Sequence, residues 1–200
     1  LAAHPDPRIK SGAVNSDLSL MSHPKFVEGA RCLQDAGLSL DFWIYHTQLS
    51  EMEKIAMTLP ELSIILNHIG GPIHLGEYEG KQALTHREWR KAMMRLSRLP
   101  NIKVKLGGLG MKVNGAKFHL NHNPPNSSQL ADIWKSWIYE TIDMFGVERC
   151  MFESNFPVDK GSCSYGSLWN AFKIISENMS DNEKNKLFYE NAAKTYKIKL

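Results

Sequence analysis

Apolar positions along the chain follow two different periods. Four short, continuously apolar runs are typical of buried strands: residues 38–45, 62–66, 102–106 and 149–153. Between them, apolar residues recur at helical spacing, as at Phe26, Val27, Ala30 and Leu33. Because parallel strands need crossover helices and no hairpin signal separates the runs, this order predicts an α/β fold with a parallel sheet.

Turn and capping residues mark the ends of the predicted helices. Gly37 follows the first helical segment at a position typical of a helix C-terminus. Three capping boxes predict helix starts: Ser50 with Glu53, Thr85 with Glu88, and Ser180 with Glu183. Because the strands read as apolar throughout, we expect helices on both faces of the sheet, as in an open doubly wound sheet or part of a (β/α) barrel.

Length and composition restrict the class of protein further. The 200 residues suit one domain, and 42% hydrophobic with 22% charged residues is typical of a globular protein. A net charge of +3 without a dense basic cluster argues against a nucleic-acid partner. Without an apolar run of 18 residues or a signal peptide, we expect a cytoplasmic protein with no membrane partner. The chain begins without Met, which indicates processing or a cut from a longer protein.

Common catalytic and cofactor motifs do not occur in the sequence. It contains neither GxSxG nor HExxH, and its three cysteines form no CxxC pair, so we expect them to be buried apolar groups in a reducing compartment. The glycines at 107, 108 and 110 match neither GxGxxG nor a P-loop, which favours a tight turn.

Polar side chains that could carry chemistry follow the predicted strands. They are His46 after the first strand, Asn67 and His68 after the second, Lys103 and Lys105 within the third, and Glu153, Asn155 and Asp159 at or beyond the fourth. Because the carboxyl ends of parallel strands meet at one rim, these groups should converge there. Histidines with carboxylates at one rim indicate a metal-assisted or general-base hydrolase.

Each of these residues also has a structural interpretation. A histidine at a strand end commonly caps a loop or bonds a carbonyl group, and Glu153 could form a buried ion pair with Lys105. His119 and His122 could be ligands, but residues of such a loop are more often exposed to solvent.

Two segments resemble a known family. LSIILNHIGGP at 62–72 and RCMFESNFPVDK at 149–160 are similar to elements of the amidohydrolase-related (amidohydrolase 2) family of TIM-barrel, metal-dependent hydrolases. This family includes sugar lactonases and 2-pyrone-4,6-dicarboxylate lactonase. The DFWIYHTQL segment at 41–49 agrees as well, and the resemblance extends over essentially the whole chain.

The resemblance implies roles for the matched residues. His68 would bind a metal or polarise the substrate carbonyl group, and Asn155 stands where the family has an aspartate base. Because an amide cannot accept a proton at neutral pH, we expect Glu153 to act as base or ligand while Asn155 orients water or substrate. Glu153→Gln should then abolish turnover. His46, Lys105 and Asp159 would bind substrate, with the histidines and Lys105 stabilising the oxyanion.

The resemblance also predicts the architecture and the reaction class. Residues 1–200 resemble the C-terminal part of a (β/α)8 barrel domain, about strands five to eight, without the HxH or HxE pair of the first strand. Such a half would be a fragment or would pair with another copy as a homo-oligomer, and we expect it to be inactive alone. The intact protein would hydrolyse a small lactone, ester or amide, with or without Zn²⁺ or Mn²⁺. The alternatives are a decarboxylase of the same superfamily and a non-catalytic binding protein.

Overall fold

A single parallel sheet organises the chain in the computed structural model, which describes residues 1–9 and 17–199. Within these residues the sheet has four strands, β1 (Ser39–Phe42), β2 (Ser63–Leu66), β3 (Ile102–Leu106) and β4 (Cys150–Phe152), in the order β1-β2-β3-β4. Every neighbouring pair is parallel. The predicted α/β class and the four predicted strands are therefore confirmed, although β1 ends three residues earlier than predicted.

Helices precede the first strand, connect successive strands and follow the last one. They are α1 (Pro24–Asp35), α2 (Leu49–Thr58), α3 (Gln82–Leu96), α4 (Ser127–Phe145), α5 (Tyr165–Ile175), α6 (Asp181–Asn185) and α7 (Asn191–Tyr196), with a π-helical turn at Lys186–Glu190. Within the described part of the chain, none of them is both long and apolar enough to span a membrane.

The predicted capping boxes have mixed outcomes. Ser180 does cap α6, since its hydroxyl accepts from the Glu183 N–H at 3.3 Å and the Glu183 carboxylate accepts from the Ser180 N–H at 2.8 Å. The box at Thr85 was wrong: α3 begins three residues earlier, and the buried Thr85 hydroxyl donates to the Ile73 carbonyl at 2.8 Å. The box at Ser50 was also wrong, because α2 already begins one residue before it.

One face of the sheet carries the main apolar core. The strand residues that point to it pack against aromatic side chains of the helices: Phe42, Ile64, Leu66, Val104 and Phe152 against Trp89, Trp134 and Phe172. Burial of this apolar face is the main source of stability for a sheet of four short strands. Cys150 and Cys163 are buried as predicted, but Cys32 is exposed on α1.

The opposite face of the sheet, called the charged face below, carries Asp41, Lys103 and Lys105 beside the buried Ile65 and Met151. The prediction of strands apolar on both faces is therefore confirmed for β2 and β4 and was wrong for β1 and β3. In β3 the buried residues alternate with the half-buried Lys103 and Lys105. Lys105 Nζ donates to Asp41 Oδ2 at 2.7 Å, and the Tyr196 hydroxyl donates to the same oxygen at 2.7 Å. Lys103 Nζ donates to the Thr195 hydroxyl at 2.9 Å. Residues of α7 thus lie against the charged face and pair its polar groups, which would otherwise be costly to bury.

Candidate active site

The turn after β2 holds the central histidine in an unusual backbone conformation. Four consecutive residues, His68 to Gly71, have positive φ angles of 56°, 47°, 75° and 54°. Such a conformation is strained for a β-branched residue such as Ile69. The buried indole of Trp89 donates to the Ile69 carbonyl at 2.7 Å and so supports the strained turn. The turn directs the His68 side chain towards the end of β4.

Glu153 meets His68 from the end of β4. Its Oε1 lies 2.5 Å from His68 Nδ1 and also accepts from the His68 backbone N–H at 2.9 Å. Both side chains are nearly buried, with 12% and 14% exposed. A charge-assisted hydrogen bond of this kind fixes the orientation of the imidazole ring and its tautomer.

The glycines after β3 make room for this pair. A Cβ on Gly108 would lie 2.5 Å from His68 Cγ, and a Cβ on Gly107 would lie 2.5 Å from Glu153 Cγ. Gly108 also has a φ of +68°. The tight turn predicted here exists, and its glycines are needed because two side chains pack directly onto the backbone.

Asn155 is held by a second carboxylate. Its Nδ2 donates to Asp159 Oδ1 at 2.9 Å, and the Gly110 N–H donates to Asp159 Oδ2 at 3.2 Å. Only 1% of Asp159 is exposed, and this burial raises the pKa of its carboxyl from 3.8 to about 6. The hydrogen bonds from Asn155 and Gly110 favour the ionised form and oppose the shift. Asp159 therefore fixes the loop that carries Asn155.

The raised pKa of Asp159 predicts a pH dependence of stability. A carboxyl whose pKa is higher in the folded state favours folding when protonated, so its contribution is largest below pH 3.8 and falls as pH rises through 6. Across this range the group should lower the free energy of unfolding by roughly 3 kcal/mol. Asp159→Asn should remove this component, measured as the difference between variant and wild type in urea unfolding at pH 4 and pH 7. An unchanged difference between the two pH values would contradict this account.

A cavity of about 330 Å³ opens beside these groups. Its lining includes His68 and Asn155, the Trp43 ring, and the exposed Lys112 and His119 from the loop after β3. The further lining residues are Gly110, Met111, Val113, Val158, Gly161 and Ser162. None of the described residues that line the cavity carries a carboxylate. Glu153 and Asp159 therefore influence groups bound in the cavity through their hydrogen bonds to His68 and Asn155.

The structure brings together His68, Glu153 and Asn155 of the predicted site residues. Asp159 also belongs to this cluster, but it is buried and both of its oxygens are bonded to Asn155 and Gly110. The prediction that Asp159 lines a substrate site is therefore not supported by its placement.

His46 does not lie at the cavity. Its Nδ1 accepts from the Ile73 N–H at 3.3 Å, and its Nε2 lies 3.6 Å from a Glu88 carboxylate oxygen. Burial lowers the pKa of His46 to about 4, so the ring is neutral at pH 7 and the contact with Glu88 is not an ion pair. The chain leaves the strand direction after β1 and forms a 3-10 turn at His46–Gln48, which the apolar run did not reveal.

Lys105 is also separate from the cavity. It lies on the charged face of the sheet, where its ammonium group is bonded to Asp41 rather than paired with Glu153. The ion pair with Glu153 considered from the sequence was therefore wrong, and the Nζ of Lys105 does not point an unpaired charge at a substrate.

Sequence reasoning missed Trp43, whose ring lies 4.7 Å from the His68 ring in an edge-to-face arrangement. A signal was present, because Trp43 has the same parity as Asp41 in β1 and so continues the face of the sheet that is turned away from the core. Lys112 and His119 come from a long loop, where sequence alone gives no direction for a side chain.

The described residues do not supply a complete metal site. Residues 1–9 and 17–199 contain no group of three or more His, Cys, Asp or Glu side chains arranged to hold a metal ion. Two of the residues considered as ligands from the sequence, His68 and His119, line the cavity, and His68 Nδ1 is already bonded to Glu153. A metal ion bound here would need ligands that this part of the chain does not provide.

The fold and the site define an α/β protein of the parallel barrel type, with its candidate chemistry at the carboxyl ends of the strands. A family model described as amidohydrolase matches residues 11–198, so the chain belongs to this amidohydrolase family. The resemblance recognised in the sequence is thereby confirmed.

Two curated relatives match most of the chain. An uncharacterised protein, y4mH, from Sinorhizobium fredii is 38% identical over 179 residues, which cover 88% of this chain and 52% of the relative. An L-fucono-1,5-lactonase from Burkholderia multivorans is 25% identical over 174 residues, which cover 86% of this chain and 56% of the relative. The chain therefore spans about half the length of the curated relatives it matches.

Solved structures share the fold. An amidohydrolase from Burkholderia multivorans crystallised with bound zinc gives a TM-score of 0.77 at 22% identity, covering 90% of this chain and 60% of that one. A 5-carboxyvanillate decarboxylase from Sphingomonas paucimobilis gives a TM-score of 0.54 at 17% identity, covering 94% and 57%. At these identities the likeness shows the fold alone. The chain has the architecture of part of a TIM barrel, as predicted.

Proposed function

We propose that this chain forms the C-terminal part of a TIM-barrel domain that hydrolyses a small lactone, with His68 as the general base and Glu153 as the residue that orients it. The observation that carries the proposal is the 2.5 Å contact between His68 Nδ1 and Glu153 Oε1 beside the cavity. Family membership and the similarity to an L-fucono-1,5-lactonase support a hydrolase of this class.

The geometry favours His68 over Glu153 as the base. Glu153 Oε1 accepts two hydrogen bonds from His68, and Glu153 does not line the cavity. When Nδ1–H donates to the carboxylate, the lone pair of the imidazole is on Nε2, which is the nitrogen left for a water in the cavity. The negative charge of Glu153 also stabilises the imidazolium that forms when His68 takes a proton.

Asn155 would position the reacting groups. Its Nδ2 is bonded to Asp159, so the amide plane is fixed and its Oδ1 remains as an acceptor. An amide at this point can hold a water or a substrate hydroxyl group but cannot take its proton. This division of roles agrees with the expectation that Asn155 orients rather than reacts.

Hydrolysis of a lactone with these groups proceeds in two steps. Water attacks the lactone carbonyl carbon while its proton moves to His68 Nε2, and a new carbon–oxygen bond forms. The bond from that carbon to the ring oxygen then breaks, and His68 returns the proton to the departing alkoxide. The product is the open-chain hydroxy acid, formed from one lactone and one water.

A substrate panel tests the proposal against the decarboxylase alternative. We expect the intact protein, rather than this chain alone, to open lactones, measured as acid release with a pH indicator, and to release no CO₂ from aromatic carboxylic acids in the same buffer. Each panel is run with and without added Zn²⁺ or Mn²⁺. Release of CO₂ without lactone opening would favour the decarboxylase, and ligand binding without either reaction would favour a binding protein.

A further inference from the structure

The hydrogen bond to Glu153 holds the His68 ring at one atom only. Glu153 Oε1 lies 2.5 Å from His68 Nδ1 and accepts from the His68 backbone N–H at 2.9 Å. A glutamate side chain has several rotatable bonds, so its carboxylate can follow an imidazole that turns about its Cβ–Cγ bond. A contact on the face or edge of the ring is therefore needed to keep Nε2 directed into the cavity.

Residues that follow the two neighbouring strands make such contacts. β2, which ends just before His68, lies between β1 and β3 in the sheet. From the side of β3, Gly108 comes so close that a Cβ there would lie 2.5 Å from His68 Cγ and 2.6 Å from Nδ1. From the side of β1, the centroid of the Trp43 indole lies 4.7 Å from that of the His68 ring, with the two planes at 65°.

We propose that Trp43 is a positioning residue, whose indole prevents the His68 imidazole from turning and so keeps Nε2 directed at the cavity. An edge-to-face pair of rings favours its own arrangement roughly two- to tenfold over one without the contact. The effect on turnover rests on the proposed lactonase function, whereas the restraint on the ring does not.

Trp43 can restrain another ring because its own position is fixed. A Cβ on Gly71 would lie 3.0 Å from Trp43 Cζ3 and 3.2 Å from Cη2, so the indole packs directly on the turn that carries His68. On its other contact, the completely buried ring of Tyr45 lies 5.6 Å from the indole at 72°. A side chain packed against both a backbone and a buried ring has little room to move.

Trp43 also lines the cavity, so its ring can contact a bound substrate as well. A residue that acted only through such a contact would leave the His68 ring unchanged in the absence of a ligand. The ligand-free protein therefore distinguishes the two roles.

Nuclear magnetic resonance of the ligand-free intact protein tests the proposal. Proton–nitrogen correlation spectra of the histidine rings show which nitrogen carries the proton, and His68→Gln identifies the His68 signals. For the neutral ring of the wild type we expect one tautomer, with the proton on Nδ1. In Trp43→Leu we expect the other tautomer to become about two- to tenfold more populated, because a ring that turns away from Glu153 loses its acceptor at Nδ1.

Control variants separate this effect from a general loss of packing. Trp43→Phe keeps an aromatic ring and should restore most of the wild-type spectrum. Trp169→Leu removes an indole on α5 that contacts Phe172 and Phe188, and it should leave the His68 signals unchanged. If Trp43→Leu does not fold, Trp43→Met, which fills more of the space without a flat ring, takes its place. A wild-type His68 spectrum in the folded Leu or Met variant would overturn the inference.

Kinetics of the intact protein measure the consequence for turnover. Trp43→Leu should lower kcat about tenfold, because His68 then spends less time in the reactive orientation, and Trp43→Phe should recover most of that loss. A changed spectrum with an unchanged kcat would overturn the role in turnover. A raised KM with an unchanged spectrum would make Trp43 a substrate contact alone and would also overturn it.

The two measurements keep this inference distinguishable from the proposed function. If no lactone is opened but the His68 spectrum changes in Trp43→Leu, the lactonase proposal fails and the restraint on the ring stands. If lactones are opened and the spectrum does not change, the lactonase proposal stands and the inference fails.

Discussion

Glu153→Gln should lower kcat roughly 10²- to 10⁴-fold while leaving KM almost unchanged. Glutamine keeps the size of the side chain but removes the charge that holds His68 Nδ1–H and stabilises the imidazolium. KM should be unaffected because Glu153 does not line the cavity. Steady-state kinetics on the best lactone from the panel would measure both parameters.

Non-additivity gives a sharper version of this experiment. If Glu153 acts only through His68, the double variant with His68→Gln should be no slower than His68→Gln alone. Glu148→Gln, which removes a carboxylate that pairs with Lys186 on the surface, is the matched control and should keep full activity. If the losses of kcat in the double variant were additive, Glu153 would act on the substrate independently of His68, which is the role as base or ligand expected from the sequence.

Gly108→Ala should lower kcat about 100-fold by displacing the His68 ring. The added Cβ would lie 2.5 Å from His68 Cγ, so the ring or the loop must move, and displacement of a catalytic group by about 1 Å has an effect of this size. The φ of +68° adds backbone strain, for which we expect a loss of about 1 kcal/mol in the free energy of unfolding. Kinetics and urea unfolding together measure the two effects.

Gly80 offers a control for the backbone part of this effect. Its φ is +75°, but a Cβ there would meet no atom within 4 Å. Gly80→Ala should therefore lose a similar amount of stability and keep its activity. If Gly108→Ala were as active as Gly80→Ala, the packing of Gly108 against His68 would not matter for turnover.

The sequence was sufficient for the strands and their parallel arrangement, and it predicted that His68 and Glu153 lie at the same edge of the sheet. Both residues lie at the ends of apolar runs that indicate buried strands, and the carboxyl ends of parallel strands meet at one edge. The direct contact between the two side chains was not predicted, since Glu153 was considered as a partner of Lys105 instead. The position of Glu153 also follows from strand parity, which continues one residue beyond β4. Asn155 had the same predicted parity, but its φ of 52° shows that it has left the strand and reaches the cavity through a turn.

Other features depended on local turns and distant partners that the sequence pattern does not encode. The positive φ angles of His68 and Ile69 direct the catalytic ring, yet neither residue is a glycine, which is the usual signal for that conformation. His46 was misplaced because a 3-10 turn, rather than a longer strand, follows β1. Asp41 and Lys105 pair across the sheet, and side-chain partners 64 residues apart cannot be read from spacing.

The hydrogen bond from Tyr196 to Asp41 joins residues 155 positions apart, whereas the apolar face of the sheet assembles from strands that are consecutive in the chain. Closing so long a loop carries an entropic cost before the contact contributes anything, and such contacts slow folding. During refolding we therefore expect the apolar face of the sheet to be formed in the transition state, and the hydrogen bonds of the charged face to form only afterwards.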